Sequence, residues 1–129
     1  MDKKLGVNFL SASALSFVGD GVHSLFVRSV LAQKHDFKSG QLHKEASRFV
    51  SAVAQAKFVE SVLDKLTEQE QAIYARCKNA HADQKPKSCS FDQYKRATGL
   101  EGVLGWLWLL GEKERVVEIV DWQMSGLQE

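Results

Sequence analysis

The sequence predicts an all-α protein of about five to seven helices. Three observations carry that expectation. Only one proline, Pro86, occurs in 129 residues, and proline is the strongest helix breaker. Over long stretches, apolar residues recur at the i, i+3/i+4, i+7 spacing of one helical face. Thr67-Glu68-Gln69-Glu70 has the form of a capping box, a hydroxyl followed three places later by Glu, which opens a helix.

The elements follow in order. Leu10, Ala14, Phe17, Val18, Gly21, Val22, Leu25 and Phe26 form the stripe of a first helix from Phe9 to Lys34. A second begins at Ser39 or Gly40 and runs to about Lys65, with Leu42, Ala46, Phe49, Val50, Val53, Ala56 and Val59 on one side. Thr67 caps a third, which carries Ile73, Tyr74 and Cys77 and fades at Asn79-Ala80. Residues His81 to Ser90 form the one clear loop. Ser90 or Asp92 caps a fourth helix, which runs to Leu110 and stops at Gly111. A last helix covers Glu112 to about Met124. With no internal repeat or low-complexity tract, residues 1–129 read as one domain.

Composition excludes several classes. With 44% hydrophobic and 26% charged residues, disorder is not expected. A chain of this size buries about two-thirds of its unfolded surface, enough for a real core. Cys77 and Cys89 fit no zinc pattern and read as reduced thiols, as expected in a cytoplasmic protein. Met1-Asp2-Lys3-Lys4-Leu5-Gly6 lacks the apolar stretch of a secretion signal. Val103 to Leu110 falls far short of the ~20 residues that span a bilayer, so no membrane is expected. His23, His35 and His81 are not clustered and imply no metal site.

Net charge is only +1, but its distribution is uneven. Arg76 to Arg96 holds six bases (Arg76, Lys78, Lys85, Lys87, Lys95, Arg96) against Asp83 and Asp92, leaving +4. Glu112 to Glu129 carries −3. A basic loop leading into an acidic site suits a polyanionic substrate with a scissile phosphodiester.

Two acids stand where an apolar helix should not have them. Asp20 sits in Leu15-Ser16-Phe17-Val18-Gly19-Asp20-Gly21-Val22, and Glu101 in Gly99-Leu100-Glu101-Gly102-Val103-Leu104-Gly105-Trp106. Burying an ionised carboxylate costs several kcal/mol unless a cation or strong donors compensate it. Two such sites suggest one shared cation, and Mg²⁺ suits few carboxylates plus waters and phosphate oxygens. The alternatives are structural: glycines that serve helix packing, with Asp20 paired to Arg28, and Glu101 paired to a buried base. His43, beside Lys44, could reach a phosphate or be an ordinary half-exposed helix residue. Lys44, Arg48 and Lys57 fit a solvated helix face. Trp106 and Trp108, two apart, cannot share a face, so one belongs to the core and the other to an interface.

These segments resemble the ribonuclease III family. Leu15 to Val27 is similar to its signature, and Leu100 to Leu109 to its second acidic segment. The resemblance is closer to the Mini-III ribonucleases, a branch without a double-stranded-RNA-binding domain. It is carried by Gln41-Leu42-His43-Lys44, Val50-Ser51-Ala52, Ala54-Gln55-Ala56, Lys78-Asn79-Ala80 and Leu100-Glu101-Gly102-Val103-Leu104-Gly105, over about residues Ser13 to Glu114. Departures from full-length ribonuclease III are Ser16, Thr98 and Ala52, where that family carries acids. The Mini-III branch shares them, so two carboxylates per subunit suffice, with waters or hydroxyls such as Ser16 and Thr98 filling the shell.

The resemblance implies a homodimeric helical bundle of the ribonuclease III catalytic type. It implies endonucleolytic hydrolysis of double-stranded RNA to 5′-phosphate and 3′-hydroxyl ends by metal-activated water. Asp20 and Glu101 would be the catalytic residues holding Mg²⁺, with Mn²⁺ as a substitute. Lys78, Asn79, Lys85, Lys87, Lys95, Arg96, His43 and Lys44 would contact RNA. Phe17, Val22, Leu25, Phe26 and one of Trp106 or Trp108 would form the dimer seam. The family's usual substrate is precursor ribosomal RNA of the large subunit, with a large-subunit ribosomal protein as a candidate partner. A catalytically silent RNA-binding scaffold and a plain helical interaction domain are the competing readings.

Overall fold

The structure, a computed structural model, describes residues 6–34, 38–80 and 86–126. Among them are six α-helices and no strand: α1 (Ala12–Lys34), α2 (Ser39–Val50), α3 (Ala52–Val62), α4 (Glu68–Lys78), α5 (Phe91–Leu109) and α6 (Lys113–Gly126). Lys85, His35, His81, Asp83 and the extreme N-terminus lie outside the described residues.

The local signals explain most boundaries. α1 starts at Ala12 rather than Phe9, because the Ser11 hydroxyl accepts from the Ala14 amide at 3.0 Å and Val7–Phe9 form a separate 3-10 turn. Both capping boxes form: Thr67 with Glu70 opens α4, and Ser90, not Asp92, opens α5 with Gln93. α5 ends in a Schellman motif, in which Gly111 takes φ +84°. The Gly111 amide reaches the Trp108 carbonyl and the Glu112 amide that of Leu107.

The helix expected from Ser39 to Lys65 is three pieces. Ser51 is extended (φ −64°, ψ 153°), ending α2 and capping α3, where its hydroxyl accepts from the Ala54 amide at 3.2 Å. Leu63–Lys65 then tighten into a 3-10 turn. The break falls where the helix amide of Ala54 has a side-chain acceptor in place of the Val50 carbonyl.

α5 is the central helix, packed on α1, α3 and α4, with α6 against its C-terminal half. One core spans all six helices, centred on Leu15, Val27, Val59, Leu100, Val103, Leu104, Val116 and Ile119. The α1–α5 crossing is backbone against backbone. A Cβ on Gly19 would lie 1.6 Å from the Glu101 carbonyl oxygen, and one on Gly105 would lie 2.0 Å from that of Leu15. Glycine at these positions is therefore a steric requirement. The Ser16 hydroxyl adds a bond across the crossing to the Thr98 carbonyl at 2.9 Å.

Two of the expected seam residues belong to this core instead. Val22 of α1 and Trp106 of α5 are buried, both within the hydrophobic core. Phe17 (82% exposed), Leu25 (56%) and Trp108 (39%) are not covered. Trp106 and Trp108 divide as their spacing requires.

Candidate active site

Asp20 lies on α1 and Glu101 on α5, 81 positions apart in sequence. The Gly19–Glu101 contact at the crossing sets them side by side. Asp20 faces the open side and is exposed, contrary to the expectation of a buried carboxylate; Glu101 is half-buried. Both line a cavity of ≈ 250 Å³ together with Ser13, Ser16, Phe17, Tyr94, Thr98 and Ala80. Ala80 follows Asn79 at the end of α4, so the predicted RNA-contacting segment reaches the cavity rim.

Neither carboxylate is in an ion pair with a base among the described residues. Arg28 is exposed and is not the cation of Asp20. The Glu101 carboxyl is pushed up to about 8, first by burial, then by the Asp20 charge, against the lowering pull of a bond from Gln55.

The residues present fit a hydrated divalent ion. Two carboxylates with no counter-charge are a hard oxygen donor set. No group of three or more His, Cys, Asp or Glu exists among the described residues, so most of the shell would be water or substrate. Gln55 Oε1 is buried without a protein partner, and it belongs to the side chain that reaches Glu101. The ion's waters are donors that suit such an acceptor.

The remaining predicted residues divide. Lys78 ends α4, and Asn79 is its exposed C-cap. Lys87 is exposed. Lys95 Nζ sits 5.9 Å from the centre of the Phe91 ring. Arg96 turns away from the cavity, bonded to Asp92 at 2.8 Å and paired with Glu60. Tyr94 and Thr98 face the cavity, and position 96 lies on the other side of the helix. His43 and Lys44 are exposed on α2. His43 lines a separate cavity of ≈ 220 Å³ with Arg28 and Leu31. Arg28 is eight positions beyond Asp20, about 12 Å along the helix. Ser16 and Thr98 line the site, but each hydroxyl proton is committed to a backbone carbonyl.

Sequence reading missed two buried polar positions. Gln55 Nε2 donates to the Val50 carbonyl at 2.9 Å and to Glu101 Oε2 at 3.3 Å. His23 and Gln123 are bonded at 2.7 Å, and Gln123 continues to the Phe49 carbonyl at 2.8 Å. The available signal was phase: Gln55 falls in register with Val59 and Val62, so it must be buried.

Comparison with known proteins decides the family. The profile described as Ribonuclease III domain matches residues 13–112. The chain is 37% identical over 126 residues to a protein named Mini-ribonuclease 3 from Thermoanaerobacter sp. (strain X514), covering 98% of this chain and 89% of that one. The chain belongs to the ribonuclease III family, in its Mini-ribonuclease 3 branch. A Mini-ribonuclease 3 from Streptococcus pneumoniae is 38% identical, with 96% of this chain and 98% of that one covered. A crystal structure of a protein from Fusobacterium nucleatum superposes with TM-score 0.83 at 28% identity, covering 93% of this chain and 96% of that one. Membership in the ribonuclease III family places the chain among endoribonucleases and its helical bundle in the ribonuclease III fold.

Proposed function

We propose that the chain is a Mg²⁺-dependent endoribonuclease of double-stranded RNA, with Asp20 and Glu101 as the carboxylates that hold the ion. One observation carries the reading: two acids from distant segments meet at one cavity with no base between them. Mn²⁺ is expected to substitute.

In this proposal, the ion held there would supply Lewis-acid chemistry: polarisation of a phosphoryl oxygen and a more acidic bound water. Asp20 and Glu101 would bind and orient it through carboxylate oxygens that no base engages among the described residues. Among the described residues the cavity lining holds no His, Lys or Cys, and the Ser16 hydroxyl donates to the Thr98 carbonyl; both support water as the nucleophile. The products are then a 5′-phosphate and a 3′-hydroxyl.

Lys78, Asn79, Lys87 and Lys95 are the proposed phosphate and 2′-hydroxyl contacts, together with Lys85. A-form RNA is recognised mainly through backbone and shape, which suits a few bases at a cavity rim. Arg96, already paired twice, serves the fold. Arg28, His43 and Lys44 offer a second cationic point for the same duplex. The uncovered stripe Phe17, Gly21, Leu25 on α1, with Trp108 edge-on to Phe26, supports a homodimer whose seam borders the two sites. The proposed setting is the cytoplasm, the substrate precursor ribosomal RNA of the large subunit, and a candidate partner a large-subunit ribosomal protein. All three rest on the family. No helix among the described residues is long and apolar enough to cross a membrane.

The test is duplex RNA incubated with purified protein, with Mg²⁺ and then with EDTA, beside Asp20→Asn. Cleavage is expected only with Mg²⁺ and wild-type protein, while the variant still binds RNA and sediments as wild type does. Cleavage in EDTA, or by Asp20→Asn at the wild-type rate, contradicts the reading.

A further inference from the structure

Gln55 has no part in the chemistry above, yet it is one of the most enclosed polar side chains, at 2% exposure. A primary amide in an apolar stripe is costly unless its groups are matched. Its orientation is fixed by chemistry. The Val50 carbonyl can only accept, so the end of the amide that meets it at 2.9 Å is the nitrogen. The second hydrogen of that nitrogen then points at Glu101 Oε2, 3.3 Å away.

The Val50 carbonyl is available because the chain breaks at Ser51. The Ala54 amide, which would have bonded it in a continuous helix, goes to the Ser51 hydroxyl instead. The α2–α3 break thus supplies an anchor, the anchor holds the amide, and the amide holds one oxygen of Glu101. The other oxygen, with the remaining lone pairs of Oε2, is left for Asp20 and the cavity.

We propose that Gln55 is a positioning residue for Glu101, fixing the carboxylate in the orientation that receives a divalent cation. This rests on the metal reading of the Asp20–Glu101 pair. Gln55 touches neither substrate nor ion through its nitrogen; it acts through Glu101. Partners of this kind typically contribute 10–100-fold in metal affinity.

The experiment measures Mn²⁺ binding by electron paramagnetic resonance on the full chain, for wild type, Gln55→Met and Gln123→Met. Gln55→Met keeps the side-chain length and removes both polar ends. Gln123→Met makes the same change at an equally buried glutamine that is bonded to His23 and the Phe49 carbonyl and does not touch Glu101. The expected result is Mn²⁺ affinity at least about 10-fold weaker in Gln55→Met and unchanged in Gln123→Met. Equal binding by wild type and Gln55→Met, or equal losses in both variants, overturns the inference. A wild type that takes up no Mn²⁺ overturns the metal reading, and this inference with it. A second measurement needs no variant. The Gln55 side-chain amide resonance of the unmodified protein should shift on Mg²⁺ addition and saturate with the same affinity as the Glu101 carboxyl carbon. A Gln55 resonance that stays still while the carboxyl carbon moves overturns the inference even if Gln55→Met fails to fold.

Discussion

At the scale of single residues, glycines and buried polar groups set the chemistry more than the acids do. Gly19 lets α1 touch the backbone of Glu101, and that contact is what brings Asp20 beside it. Gly21 is different: a Cβ there meets nothing within 4 Å, so the space beside it is open. His23, three residues beyond Asp20, is buried, and desolvation holds its imidazole below the ordinary value, outweighing the raising pulls of Gln123 and Asp20. The sign of its effect on stability follows. The unfolded chain takes up a proton near pH 6.5 while the folded site stays neutral. Below that pH the unfolded state therefore binds more protons, and this contribution to stability is lost as pH falls from about 6.5 toward the lowered folded value, by at most about 1.4 kcal/mol per pH unit. Glu101, raised to about 8, acts with the opposite sign over the same range, so the His23 effect is read as a difference: in urea unfolding between pH 5 and 7.5, the stability of wild type relative to His23→Gln should fall as pH drops below about 6.5. An identical slope in the variant would contradict the assignment to His23.

Among the elements, the ends are better defined by sequence than the interiors. Thr67-x-x-Glu70 and Ser90-x-x-Gln93 are local devices, readable from four residues each, and both form. The α2–α3 break is not local in that sense. Apolar periodicity runs through Ser51 undisturbed from Val50 to Val59, and serine is tolerated inside helices; only the competition for the Ala54 amide ends α2 there. The break matters to the site, because it frees the carbonyl that anchors Gln55. The end of α4 is the element that leads to the proposed nucleic-acid face, with Lys78 and Asn79 just before the cavity-lining Ala80. Lys78→Ala and Lys87→Ala should each weaken duplex RNA binding and reduce the slope of log affinity against log salt by about one. The same substitution at Lys57, on the solvent side of α3, should leave the slope unchanged. A slope unchanged in the Lys78/Lys87 double variant would remove those residues from the interface.

At the scale of the whole molecule, the fold class was legible because helical periodicity and the near absence of proline are properties of the entire chain. The acids were legible as local anomalies, two carboxylates set among glycines and core residues. Their environment was not. Asp20 was expected to be buried and is exposed, because helix phase fixes a direction but not what lies in that direction. The sequence also could not separate Val22 and Trp106, which pack inward, from Phe17, Leu25 and Trp108, which remain uncovered; all five are equally apolar. Gln55 and Gln123 were overlooked for the converse reason, since a polar residue on an apolar face is visible only once the face is known. The assembled bundle brings Asp20, Glu101, the exposed Phe17 of α1 and Ala80, just beyond α4, to one cavity.

The most direct test of that arrangement is a double-mutant cycle on duplex-RNA cleavage, comparing Asp20→Asn, Glu101→Gln and the two combined, at fixed Mg²⁺. Residues that grip one ion act as a unit, so their losses should not multiply. Each single variant is expected to fall to the residual rate of the double variant. Losses that multiply, or either single variant cleaving at the wild-type rate, would contradict a shared ion at Asp20 and Glu101.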